Sequence, residues 1–120
     1  MFNILVVEDD AKLAGIYSTI LKMNKYNPYL AENGQAALDI LDKEYIDLII
    51  TDVMMPEMDG YELTRELREH GYQLPILMIT ARESFQDKQK GFLLGTDDYM
   101  VKPINWDEMI LRIGALLRRA

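Results

Sequence analysis

A carboxylate follows one of the most apolar stretches of the chain, with only a threonine between them. Leu48, Ile49 and Ile50 are followed by Thr51 and then by Asp52, after which the segment MMPEMDG has the composition of a loop. A carboxylate at the end of a buried strand costs several kcal/mol unless a neighbouring group compensates its charge. The sequence therefore predicts a partner for Asp52, and the nature of that partner indicates the chemistry.

Three other apolar stretches also end in polar side chains. The first is followed by the acids Glu8 and Asp9, a later one by Thr80, and the last by Lys102. Taken one at a time, each has an ordinary explanation, such as a β-branched strand residue or a solvated surface lysine. As a set with Asp52, the carboxylates, the hydroxyl and the ammonium group indicate a site for a cation and a second charged group.

Five strands that alternate with helices must position these side chains. Strand and helix patterns in alternation predict right-handed βαβ units, which form a parallel sheet covered by helices on both faces. In open sheets of this kind, ligands bind beyond the carboxyl ends of the strands. We therefore expect the polar groups to meet at one edge. The predicted strands are residues 4–7, 29–31, 48–51, 76–79 and 99–101.

Helices are predicted between the strands from the 3.6-residue periodicity of apolar side chains. Asp10 precedes the first helix and either caps it or belongs to the acidic group. Asn33 opens the second helix, Asp59 precedes the third, and Asn105 is the expected N-cap of the last. A further helix over residues 84–94 has weaker periodicity.

Composition excludes several classes of function. The 120 residues suit one domain with a full core, and the absence of cysteine excludes disulfides and thiolate chemistry. A net charge of −7 argues against direct nucleic-acid binding, which depends on Lys and Arg. No apolar run is long enough for a membrane span, and the amino terminus lacks the features of a signal peptide. We therefore expect a cytoplasmic protein without a membrane partner.

The acidic group predicts a hard cation. Carboxylates forced together repel one another, and one pKa rises unless a cation is bound. Oxygen ligands without His or Cys suit Mg²⁺, which uses one or two carboxylates together with waters and phosphate oxygens. Mn²⁺ is an acceptable substitute, whereas the loop spacing typical of Ca²⁺ sites is missing. The only histidine, His70, lies in a polar stretch and is expected at the surface.

Four segments together resemble the receiver domains of bacterial two-component response regulators: ILVVEDD, DLIITDVMMPEMDG, PILMITAR and GTDDYMVKP. The resemblance runs along residues 1–120 without a large gap. It implies an α/β, flavodoxin-like fold with a doubly wound five-stranded parallel sheet in the order 2-1-3-4-5, flanked by five helices.

The resemblance also implies roles for individual residues. Asp52 would accept a phosphoryl group, and Thr80 and Lys102 would contact its oxygens. Pro103 would follow a cis peptide bond that aims Lys102 into the site, while the loop after Asp52 would be shaped by Pro56 and Gly60. The implied ligands of Mg²⁺ are Asp9, Asp52 and the backbone carbonyl of Met54, with Glu8 acting through a water molecule.

The implied reaction is the formation of an aspartyl phosphate. The donor would be a phosphohistidine on a sensor histidine kinase, and slow self-dephosphorylation would follow. The domain would not be an enzyme with a separate substrate. A haloacid-dehalogenase-type phosphatase is disfavoured because Met54 stands where its general acid is required, and a flavodoxin-like cofactor binder is disfavoured because the acids would repel the flavin phosphate.

Two kinds of receiver domain remain as alternatives. A stand-alone domain would signal by binding another protein, whereas a transcription-factor receiver would be followed by a DNA-binding domain. The terminal segment LLRRA resembles the start of the linker in winged-helix regulators of the OmpR/PhoB type, although Thr96 stands where alanine is usual. We favour residues 1–120 as the receiver half of such a regulator, which would bind DNA only through the other domain.

Activation is expected to move a switch and to create a two-fold dimer. A phosphoryl group would draw Thr80 inward, and Tyr99 would enter the vacated space from outside. The dimer would use the helix over residues 84–94, the last strand and the last helix, with ion pairs setting register more than affinity. The expected pairs are Lys88 with Glu108, Asp98 with Arg112 and Asp97 with Arg119, around an apolar patch of Phe92 and Ile110.

Overall fold

A parallel five-stranded sheet forms the centre of the computed structural model, as the strand and helix pattern predicts, and its order 2-1-3-4-5 is the one that the family resemblance implies. The structure describes residues 1–81, 89 and 95–120. The predicted helix over residues 84–94 therefore lies outside the described residues, apart from Gln89. The strands are β1 (Asn3–Val7), β2 (Asn27–Ala31), β3 (Leu48–Asp52), β4 (Ile76–Thr80) and β5 (Asp98–Val101).

Asp or Asn caps the amino terminus of each helix in the described residues. Asp10 accepts hydrogen bonds from the backbone N–H groups of Lys12 and Leu13, so Asp10 is a helix cap. Asn33, Asp59 and Asn105 each accept one such bond at the starts of the next helices. The described helices are α1 (Ala11–Met23), α2 (Gly34–Lys43), α3 (Gly60–Glu69) and α4 (Trp106–Arg119).

Alternate strand residues enter two separate cores. In β1, Ile4 and Val6 join the cluster that packs α1 and α4 against one face of the sheet. Leu5 and Val7 join the cluster that packs α2 and α3 against the other face. Burial on both faces explains why the strands read as nearly continuous apolar runs.

All five strands extend one or two residues further than the sequence predicts, and two of the extensions reach the polar groups. Asp52 is the last residue of β3 and lies opposite Ile79, while Thr80 ends β4 opposite Val101. Backbone pairing continues to these positions because neighbouring strands supply partners there, and a side-chain pattern does not reveal this. Two functional candidates therefore stand on strands rather than on loops. Among the described residues, no helix is long and apolar enough to cross a membrane.

Candidate functional site

The carboxyl ends of β3, β4 and β5 bring Asp52 and Lys102 into direct contact. The Lys102 backbone N–H donates to the Thr80 carbonyl at 2.8 Å, which continues the strand pairing beyond β5. A cis peptide bond joins Lys102 to Pro103, as expected. The Lys102 Nζ lies 2.6 Å from Asp52 Oδ2. Lys102 is thus the group that compensates the buried Asp52 carboxylate.

Glu8 is the least compensated charge of the site. The residue is 4% exposed, and its Oε1 has no hydrogen-bond partner among the described residues. Its Oε2 accepts a bond of 3.1 Å from the Asp10 backbone N–H, and Lys102 Nζ lies 3.9 Å from Oε1. Burial, followed by the Asp52 charge and the Asp9 side chain, raises the pKa of Glu8 to about 7 against the opposing effects of Asp10 and Lys102. The site therefore has more negative charge than its own groups neutralise.

Lys102 remains a cation in this environment. Burial lowers the pKa of Lys102, but the hydrogen bond and the charge of Asp52, together with the charges of Glu8 and Asp9, outweigh it and raise that pKa. A protonated lysine between two buried acids can neutralise one negative charge fully and the other in part. The acidic site is defined below as Glu8, Asp52 and Lys102.

The loop after β3 closes tightly over the phosphoacceptor candidate. The Met54 backbone N–H donates to Asp52 Oδ1 at 3.2 Å, and the Gly60 N–H donates to the Val53 carbonyl at 2.8 Å. A Cβ at Gly60 would lie 2.4 Å from the Asp52 carbonyl oxygen, so only glycine fits. Pro56 is exposed within this loop, which returns the chain to the start of α3.

The side chains at this edge suit a hard cation better than any other ligand. They offer carboxylate oxygens, and the buried Glu8 Oε1 has an unused acceptor site. Asp9 is exposed at the rim, next to Glu8. Within residues 1–81, 89 and 95–120, no three His, Cys, Asp or Glu side chains already form a metal-ligating group. Lys102 Nζ lies within 3.9 Å of both acids, so a bound cation would share their negative charge with this ammonium group.

The position of the switch candidates differs from the expectation in one respect. Thr80 is fully buried at the end of β4. Tyr99 was expected to start outside and move inward, but its side chain is already buried, and its hydroxyl donates to the Tyr61 hydroxyl at 2.7 Å. The physical reason is that Tyr61 supplies a buried polar partner, which the spacing of the sequence does not reveal.

Four of the predicted dimer residues also form ion pairs within the chain: Asp97, Asp98, Glu108 and Arg112. Arg112 Nη1 contacts both carboxylate oxygens of Asp98 at 2.8 and 2.9 Å, and its Nε lies 3.7 Å from Glu108. The Asp98 and Arg112 pair therefore forms inside one copy, although it was expected between two. Asp97 binds Arg68 and the Ile76 N–H within the chain, each at 2.8 Å, and its predicted pair with Arg119 of a second copy stays a prediction. Arg119 is exposed, Ile110 packs partly against the core, and Lys88 and Phe92 lie outside the described residues.

Sequence reasoning missed Arg68, which uses all five of its N–H donors. They bind the carbonyls of Tyr72, Leu74 and Gly95 and the carboxylate of Asp97, over distances of 2.7–3.1 Å. Arg68 is the last basic residue of α3 and precedes Asp97 by 29 positions, so no local pattern links the two. His70, by contrast, is exposed at the end of α3, as predicted.

Comparison with known proteins identifies close relatives of this arrangement. A family model described as the response regulator receiver domain matches residues 4–114. The heme response regulators HssR of Staphylococcus epidermidis and Staphylococcus aureus (strain Newman) are 42% and 40% identical over 119 residues, which are 99% of this chain. The chain spans 53% of the length of these relatives.

Solved structures agree with this result. The receiver domain of the Francisella response regulator 1452 superposes with a TM-score of 0.95 at 34% identity, covering 99% of this chain and 98% of that one. The Vibrio cholerae chemotaxis protein CheY4 superposes with a TM-score of 0.92 at 32% identity, covering 97% and 98%.

Proposed function

The chain belongs to the response regulator receiver domain family, and we propose that Asp52 is the residue on which it accepts a phosphoryl group. One observation carries this proposal: the buried Asp52 carboxylate lies 2.6 Å from Lys102 and shares its pocket with Glu8, whose Oε1 has no partner among the described residues. An excess of negative charge held in place at a strand end is costly for stability, and it suits a site that binds a cation and a phosphoryl group.

The proposed reaction transfers a phosphoryl group from a phosphohistidine of a sensor histidine kinase. The N–P bond of the donor breaks, its electron pair stays with the histidine nitrogen, and an O–P bond forms to Asp52. After the transfer, the Lys102 ammonium group would pair with a phosphoryl oxygen in place of the carboxylate, because this group already contacts Asp52. Thr80 ends the neighbouring strand, and its hydroxyl would donate to another phosphoryl oxygen.

Mg²⁺, or Mn²⁺ in its place, would stabilise the negative charge of the transferring group. Asp9, Asp52 and the Met54 carbonyl would hold the ion directly, and Glu8 would hold it through water. The orphaned Glu8 oxygen and the all-oxygen donor set support this assignment.

The output is proposed to be transcriptional. The HssR relatives are nearly twice as long as the part matched here, which supports residues 1–120 as the receiver half of a longer regulator. The resemblance of the terminal segment LLRRA to the linker of OmpR/PhoB-type proteins favours a winged-helix domain as the other half. The net charge of −7 fits a domain that leaves DNA binding to a different domain. The full-length match to the chemotaxis protein CheY4 supports the alternative of a stand-alone domain. Reading the coding frame beyond Ala120 distinguishes the two.

Phosphorylation by acetyl phosphate tests the central assignment. We expect wild type to gain one acid-labile phosphoryl group in the presence of Mg²⁺, measured by intact-mass spectrometry, and Asp52→Asn to gain none. Asp42→Asn, which changes an exposed carboxylate of α2, is the matched control and should behave like wild type. Stoichiometric phosphate on Asp52→Asn would place the acceptor elsewhere.

A further inference from the structure

A groove lies at the amino edge of the sheet, away from the acidic site at the carboxyl edge. Its walls include residues that directly precede three strands: Phe2 before β1, Asp47 before β3 and Pro75 before β4. The groove has a volume of about 480 Å³, which is within the usual range for ligand-binding clefts. The rest of its lining is mainly apolar and includes Leu41, Ile46, Leu74 and Leu117.

Hydrogen bonds hold both walls of the groove in place. On one side, the Arg68 guanidinium donates to the carbonyls of Tyr72 and Leu74 at 3.0 and 2.8 Å. On the other side, the Asn3 side-chain amide donates to the Tyr45 carbonyl at 2.7 Å. A groove whose walls are already fixed loses little conformational entropy when it is filled. The groove is therefore preformed and suited to binding.

Two aromatic side chains that line the groove remain in contact with solvent. Tyr45 is 78% exposed and Phe2 is 49% exposed, although both are large. Large apolar groups that stay exposed together along a concave surface are typical of binding sites. The carboxylates of Glu44 and Asp47 line the same groove, so its charge best fits a segment that carries a basic side chain beside apolar ones.

The carboxyl end of α4 opens into this groove. α4 starts beyond the carboxyl end of β5 and returns to the amino edge, where Leu117 and Ala120 line the groove. Ala120 also lines an adjoining cavity of about 200 Å³, which extends to Asp97 and Arg119. Consecutive Cα atoms are only about 3.8 Å apart, so residues that follow Ala120 in a longer chain must start beside the groove.

We propose that the groove binds the segment that follows residue 120 in a longer regulator, and that it thereby ties the second domain to the receiver domain. This inference rests on the proposed function, which has the chain continue; the HssR relatives are nearly twice as long as the matched part. The segment is extended, with large apolar side chains close to residue 120 and a basic one that reaches Glu44. Because the segment is tethered beside the groove, its effective concentration there is high, and a weak contact is enough to hold it.

Limited proteolysis of the full-length regulator tests the proposal. Proteinase K cleaves exposed flexible segments, and mass spectrometry of the products gives the rate of cleavage just after residue 120. Tyr45→Glu alters an exposed side chain but places a charge in the groove, so we expect this cleavage to become about tenfold faster. Met23→Glu is the matched control and should behave like wild type, because Met23 is 73% exposed at the end of α1 and does not line the groove. Equal rates in wild type and Tyr45→Glu would overturn the proposal.

Disulfide formation locates the segment directly. Residues 1–120 contain no cysteine, so Tyr45→Cys can be combined with one new cysteine at successive positions after residue 120, once any cysteine of the second domain has been replaced by serine. Under mild oxidation we expect an intramolecular disulfide for at least one position, formed about tenfold faster than the same pairs with Met23→Cys. Equal rates with Tyr45→Cys and Met23→Cys would show that the segment does not settle in the groove, which would refute the proposal.

Two further outcomes would also contradict it. If protection of the segment rises with protein concentration, a second copy of the chain supplies the contact. If the coding frame ends at residue 120, the groove has no tethered segment, and the transcriptional output fails with it. The role of Asp52 would still be decided by its own test, the gain of one phosphoryl group in intact-mass spectrometry.

Discussion

Both ends of β5 carry a charged cluster, and the two clusters differ in how well their charges are satisfied. Beyond its carboxyl end lies the acidic site, in which Lys102 faces two buried acids and one oxygen of Glu8 has no partner among the described residues. Just before its amino end lies the arginine clamp, which we define as Arg68, Asp97 and the carbonyls of Tyr72, Leu74 and Gly95.

In the arginine clamp every donor is used. Five N–H groups of Arg68 meet five acceptor contacts, and the Asp97 carboxylate also accepts from the Ile76 N–H at 2.8 Å. Gly95 has a φ of +108°, and a Cβ there would lie 2.8 Å from Arg68 Cγ, so the backbone is fitted around the guanidinium. The clamp is a structural device that fixes where β5 begins.

The difference shows which cluster is built for stability and which for binding. A satisfied charge stabilises the fold, whereas a buried charge without partners is tolerated where a ligand completes it. Removing a charge should therefore destabilise the domain at the arginine clamp and stabilise it at the acidic site. The direct test is whether these two kinds of substitution change the free energy of unfolding in opposite directions.

Arg68→Ala should cause the largest change. It leaves three backbone carbonyls without their side-chain donor and the Asp97 carboxylate with the Ile76 N–H but no cation, which costs about 3 kcal/mol in the free energy of unfolding. Urea denaturation measures this loss. Arg65→Ala, an exposed position of the same helix, is the control and should change stability by less than about 0.5 kcal/mol. If Arg68→Ala loses no more stability than the control, the arginine clamp does not stabilise the fold, and the contrast with the acidic site fails.

Glu8→Gln should change the free energy of unfolding in the opposite direction to Arg68→Ala, and the size of this change should depend on pH. The pKa of Glu8 rises from 4.5 to about 7 on folding, so the folded domain holds a proton that the unfolded chain has lost between those values. The stability contributed by protonated Glu8 is present at low pH and is lost as the pH rises through about 7. The amide keeps the bond from the Asp10 N–H without the charge.

In metal-free buffer at pH 8 we therefore expect Glu8→Gln to be more stable than wild type by about 2 kcal/mol, with a smaller difference at pH 5. Urea midpoints across this pH range provide the measurement, and Glu32→Gln at an exposed position is the control. With Mg²⁺ the order should reverse, because wild type gains stability from an ion that the variant holds more weakly. If wild type is the more stable at pH 8 without metal, Glu8 is not an uncompensated charge.

Thr96→Val extends the comparison to a neutral group beside the arginine clamp. Thr96 is 5% exposed, and its Oγ1 has no hydrogen-bond partner among the described residues. The isosteric change removes an unsatisfied hydroxyl and should raise the thermal midpoint, with a gain of about 1 kcal/mol. Thr64→Val is the matched control with the opposite expectation, since the Thr64 hydroxyl donates to the Gly60 carbonyl at 2.8 Å. Equal shifts for both variants would contradict this reasoning.

The contrast also explains what could be predicted from the sequence. The alternation of strands and helices, the Asn105 cap and the meeting of Asp52 with Lys102 follow from local patterns and from the rule that ligands bind at carboxyl ends of parallel strands, whereas the strand order follows from the family resemblance. The arginine clamp and the Tyr61–Tyr99 pair join residues 29 and 38 positions apart. Such pairings depend on how helices pack on the sheet, and neither periodicity nor spacing encodes them.

Glu108→Lys should have the smallest effect on the stability of the monomer, so it tests the proposed dimer separately from the fold. Glu108 is exposed, and its contact of 3.7 Å with Arg112 along α4 is worth only a few tenths of a kcal/mol. The pair with Lys88 expected between copies would occur twice in a two-fold interface, so a reversed charge introduces two repulsions. We expect wild type to dimerise with Mg²⁺ and beryllofluoride in analytical ultracentrifugation and Glu108→Lys to remain monomeric, with unfolding midpoints nearly equal. Asp107→Lys, the neighbouring exposed acid, controls for net charge. If Glu108→Lys and Asp107→Lys both dimerise as well as wild type, α4 lies outside the interface. The contacts within the chain would then be the whole role of Asp97, Asp98 and Arg112.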